Sequence, residues 1–124
     1  MLSPFLAEAL QVRYSPEYNC ADFVSDILGK MYGTYIPVPT TSTPAKHLLK
    51  ALRGGFIRIP SPVDGCVVLV RTKSLHVGLY FSGKDTYTPN YLLHNAEGFG
   101  GMMTPITEYP ASGLTYYLPT ERIP

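Results

Sequence analysis

The chain has 124 residues, a net charge of +1, 45% apolar residues and 15% charged residues. This length fits one domain over residues 1–124 with a core of its own, and the composition excludes a disordered chain and a long-range pull toward nucleic acid. No apolar run approaches the ~20 residues that span a bilayer, no secretory signal is visible at the N-terminus, and two cysteines are too few for a disulfide scaffold.

Ser3-Pro4 reads as a helix cap followed by a first-turn proline, and Phe5, Leu6, Ala9 and Leu10 recur at helical spacing. The sequence therefore predicts a short helix to about Val12. Ser15-Pro16 marks a turn. Phe23, Val24, Ile27, Leu28 and Met31 form the next apolar stripe, with Asn19 as its cap and Gly33 as its stop. Residues 34–42 read as a loop. Thr43-Pro44 opens a predicted helix carrying His47, Leu48, Leu49 and Leu52, in which His47 is read as a surface residue.

Beyond Gly55 the pattern turns to strands. Phe56–Ile59 is a short strand, and Cys66–Arg71 is an apolar run suited to burial on both faces. Ser74–Phe81, Tyr91–Asn95, Met102–Glu108 and Leu114–Leu118 follow, with a hairpin turn at Ser82–Asp85 and a glycine-rich turn within Gly98–Met103. Helices first and a strand meander afterwards predict an α+β fold with an antiparallel sheet.

A thiol attacks a carbonyl well only as a thiolate, and the positive end of a helix and a neighbouring imidazole both favour that form. Cys20 opens the second helix and is the candidate nucleophile. Cys66, in an apolar run, reads as a small buried hydrophobe. His76 lies mid-strand and projects from the face opposite Leu75, Val77 and Leu79. A third polar group must hold a catalytic imidazole in its working tautomer. His94 is the candidate, as a cross-strand neighbour of His76. Asp22 reads as a first-turn charge. One cysteine and two histidines also match the ligand number of a catalytic zinc site, but no close ligand pair supports a metal, and no cofactor is expected.

The segments Asn19-Cys20-Ala21-Asp22-Phe23-Val24, Asp64-Gly65-Cys66-Val67-Val68-Leu69, His76-Val77-Gly78-Leu79-Tyr80-Phe81 and Leu92-Leu93-His94 resemble the NlpC/P60 superfamily of cysteine peptidases, in that family's order. The resemblance spans roughly residues 14–95. It differs from the usual pattern in having Asn19-Cys20-Ala21-Asp22 for Asp-Cys-Ser-Gly, and Asp64-Gly65 for Gly-Asp. Asn-Cys-x-x-Phe-Val is also similar to the lecithin retinol acyltransferase relatives, which place the histidine strand before the cysteine. The resemblance implies a papain-like fold with Cys20 as nucleophile, His76 as base and His94 as its orienting partner. Tyr14 and Tyr18 are both candidates for an oxyanion-binding hydroxyl. Tyr14 is favoured because it ends the first helix farther from the cysteine.

The activity so implied is hydrolysis of an amide bond in peptidoglycan stem peptides, commonly the γ-D-glutamyl–diamino acid link in this family. Bare domains of this kind occur as tail-tip components of phages and phage-like particles. The expected setting is therefore a virion tail, or the host cytoplasm before assembly, with protein partners in that assembly, no nucleic acid and no membrane insertion. The alternatives are a catalytically idle structural tail protein with the same fold and a thiol acyltransferase or thioesterase.

Overall fold

The computed structural model describes residues 4–15, 18–33, 55–71, 75–83 and 89–120. Two helices, α1 (Pro4–Ala9) and α2 (Cys20–Tyr32), precede six strands: β1 (Phe56–Ile59), β2 (Val67–Arg71), β3 (Leu75–Phe81), β4 (Tyr91–Ala96), β5 (Gly100–Pro105) and β6 (Leu114–Pro119). The fold is α+β, and all the strand pairs are antiparallel. The sheet order is β1-β6-β2-β3-β4-β5. The expected meander therefore holds only from β2 to β5, and β6 returns to insert between β1 and β2. The predicted 44–53 helix, His47, and the turn beyond Gly83 lie outside the described residues.

Asn19 starts α2 with a complete capping box. Its side-chain oxygen accepts from the N–H groups of Ala21 and Asp22, and the Asp22 carboxylate accepts from Asn19 N–H at 3.1 Å. Gly33 ends the helix at φ 74°, a left-handed conformation glycine adopts without penalty. α1 is shorter than predicted. The chain leaves helical geometry after Ala9, and the Val12 carbonyl accepts from Gly101 N–H instead. β5 begins earlier than predicted, at Gly100, and gives way at Pro105 to a 3₁₀ turn over Ile106–Glu108.

Alternation along the strands gives the sheet two apolar faces. Val67, Leu69, Val77, Leu79, Tyr91 and Leu93 pack against Phe23, Val24, Ile27 and Leu28 of α2. Burial of each such side chain contributes about 1.5–3 kcal/mol. Cys66, Val68, Val70, Tyr80 and Leu92 form a second cluster, with Tyr109, Tyr116 and Leu118 at its margin. The 66–70 run is thus buried on both sides, as its sequence predicts. Among the described residues no helix is long and apolar enough to cross a membrane.

Candidate active site

Cys20 is the first residue of α2, 3% exposed, and belongs to the apolar cluster on the helix side of the sheet. It forms no disulfide. The turn preceding it is fixed twice. Tyr18 N–H donates to the carbonyl and hydroxyl oxygens of Ser15, at 3.0 and 3.1 Å. The Tyr18 carbonyl in turn accepts from Ser15 N–H and, at 2.9 Å, from Asn95 Nδ2. Asn95 is fully buried on β4, and its Oδ1 has no hydrogen-bond partner. It thereby anchors the turn that presents Cys20 to the sheet.

The two candidate tyrosines diverge. The Tyr18 hydroxyl donates to Asp26 Oδ2 at 2.5 Å, and burial and that bond together hold its pKa well above the usual phenol value. The Tyr14 hydroxyl is also raised, first by burial and then by the charges of Glu97 and Cys20, so Tyr14 lies within electrostatic reach of the thiol. A cleft of about 330 Å³ opens beside it, lined by Arg13, Tyr14, Gly98, Phe99 and Gly100.

His76 and His94 meet. Their rings are edge to face with centroids 4.8 Å apart, and His76 Nε2 lies 2.6 Å from His94 Nδ1. His94 Nε2 lies 2.8 Å from Thr104 Oγ1. In the tautomer with both protons on Nε2, His76 donates to His94 and His94 donates to Thr104. His76 Nδ1 then remains an acceptor, the form a general base requires. Burial pushes both imidazoles well below the ordinary value, His76 to about 4, and the neighbouring His76 lowers His94 further.

His76 stands opposite Val70 in the β2–β3 register, and Val70 belongs to the cluster facing away from α2. His94 alternates with Leu93, which packs on the α2 side, and shares the face of Leu92. His76 and His94 therefore share one face of the sheet, beside Val70 and Leu92. The structure joins them in a chain that ends on Thr104, and it sets Cys20 at the start of α2 behind a turn anchored by Asn95, with Tyr14 within electrostatic reach.

Sequence reasoning did not single out Asn95, Thr104, Arg13 or Phe99. Asn95 is adjacent to His94 and so must point to the opposite face, which was the available signal for it. Cys66 is completely buried, and burial pushes its thiol up to about 11, consistent with an inert packing role. Among the described residues no group of three His, Cys, Asp or Glu side chains is placed to hold a metal ion. No protein-family model matches the sequence, and a comparison with curated proteins finds no match.

Proposed function

We propose that the chain is a papain-like thiol hydrolase of the NlpC/P60 kind, cleaving amide bonds of peptidoglycan stem peptides, as a tail-tip component of a phage or phage-like particle. The observation that supports this reading is the His76–His94–Thr104 hydrogen-bonded chain. Two adjacent imidazoles, His94 buried and His76 half-buried, are costly as core filling, because each must keep its ring nitrogens satisfied. In a base with an orienting partner they have a use. The chain also preserves the order of the family's motif: cysteine on a helix start, then two histidine strands.

In the reaction the Cys20 sulfur bonds to the carbonyl carbon, and its proton passes to His76. The amide C–N bond then breaks, and the leaving amine takes that proton. Water attacks the resulting thioester, releasing the acid and restoring the thiol. Tyr14 hydroxyl and Cys20 N–H are the oxyanion donors in this scheme.

The departures from the family's motif, Asn19-Cys20-Ala21-Asp22 and Asp64-Gly65, favour a second reading, a structural tail protein that keeps the fold without the chemistry. Peptidoglycan zymography with wild type, Cys20→Ala and His76→Ala distinguishes the two. The hydrolase reading expects clearing by wild type alone. Absence of clearing by wild type, or equal clearing by all three, overturns it, and the first result supports the structural reading.

A further inference from the structure

The cleft beside Tyr14 has a built frame. One wall is the segment that follows α1, carrying Arg13 and Tyr14, and the other is the β4–β5 turn, carrying Gly98, Phe99 and Gly100. The walls are held in register by Gly101 N–H donating to Val12 O at 2.9 Å. They approach so closely that a Cβ at Gly100 would overlap the Val12 carbonyl oxygen, and one at Gly101 the Ala9 carbonyl oxygen. The frame presents two side chains with nothing to do in the fold. Phe99 is 82% exposed, an unusual position for a large aromatic ring. Arg13 makes no ion pair among the described residues, where the one salt bridge joins Lys30 to Glu8. Tyr14, which lines the cleft, lies within electrostatic reach of Cys20.

We infer that this cleft is a subsite for a peptide carboxylate, with Arg13 as the recognising group and Phe99 as the apolar platform beside it. A guanidinium offers two parallel N–H donors matched to a carboxylate. A ring at the rim covers the aliphatic stem that carries the acid. In the hydrolase, a carboxylate held there selects acidic over neutral peptides for attack by Cys20. That last step rests on the hydrolase reading, whereas the binding itself does not.

The test is therefore made on the Cys20→Ala protein, by calorimetric titration with acetyl-Ala-Glu-amide and acetyl-Ala-Gln-amide. The glutamate peptide is expected to bind roughly fivefold more tightly, the scale of a partly exposed charge pair. Added salt should narrow the gap. Arg13→Gln should make the two peptides equal, and Phe99→Ala should weaken both by a similar factor. Equal binding of the two peptides, a preference that survives Arg13→Gln, or no saturable binding at millimolar peptide overturns the subsite. Binding with the predicted preference but no wall clearing by wild type keeps the subsite and sinks the hydrolase. Clearing without the preference does the reverse.

Discussion

At the scale of single residues, the start of α2 is the best determined feature. The Asn19 side chain and the Asp22 carboxylate supply the two halves of the cap geometry that holds Cys20 in the first turn. Asn19→Ala should cost about 0.5–2 kcal/mol, read as a lowered denaturation midpoint. Asn95 works on the same turn from the far side of the sequence. Its unpartnered Oδ1 is a cost and its Nδ2 bond to Tyr18 a gain. Asn95→Leu should therefore change overall stability little while raising the rate at which Cys20 is alkylated, as the turn loosens. Unchanged alkylation kinetics would remove its anchoring role. Cys66 is the internal control: fully buried, with its thiol pushed up to about 11, it should stay unmodified in the native protein at neutral pH, as peptide mass mapping would show. The cap, the helix start and the inert cysteine were legible in the sequence, because each is a local rule about one side chain and the backbone beside it. The Tyr14–Tyr18 choice was not legible, since it depends on Asp26 standing one place and Glu97 another.

At the scale of elements, period and turn chemistry placed α2 and every strand to within a few residues. What they missed is long-range. β6 pairs with both β1 and β2, a contact spanning tens of residues that no local pattern encodes. α1 and β5 shifted together, for one reason: Gly100 and Gly101 let the strand close on the backbone of Ala9 and Val12. A methyl group at Gly101 has to push that backbone away. Gly101→Ala should lower the melting temperature and open the cleft wall, weakening peptide binding there, whereas the exposed Phe99→Ala should leave the melting temperature unchanged. The His76–His94 pairing was legible in the sequence, because alternation along β3 sets His76 on the face opposite Leu75, Val77 and Leu79 and the neighbouring strand brings His94 to it. The Thr104 end of the chain was not, since that contact depends on how β4 and β5 pair.

At the scale of the whole molecule, the imidazole pair ties stability to pH. Both rings are neutral in the fold, with His76 held down to about 4 by burial and His94 lowered as well. The unfolded chain takes up protons on both near pH 6.5, the folded chain only well below that. The unfolded state binds more protons in this window, so stability is full above about pH 6.5 and falls as pH drops toward 4. Thermal melts between pH 7 and 5, above the range of ordinary carboxylates, should show the loss. A His76→Leu, His94→Leu protein should show a flatter profile. The two-faced sheet has one further consequence. Along β3 the even-numbered residues carry the imidazole and the odd-numbered ones fill the core under α2. One residue added to or removed from β3 would therefore swap the two sets, turning the imidazole under α2 and Val77 and Leu79 to the other face. The length of that strand is thus under tighter constraint than the identity of any one apolar residue in it.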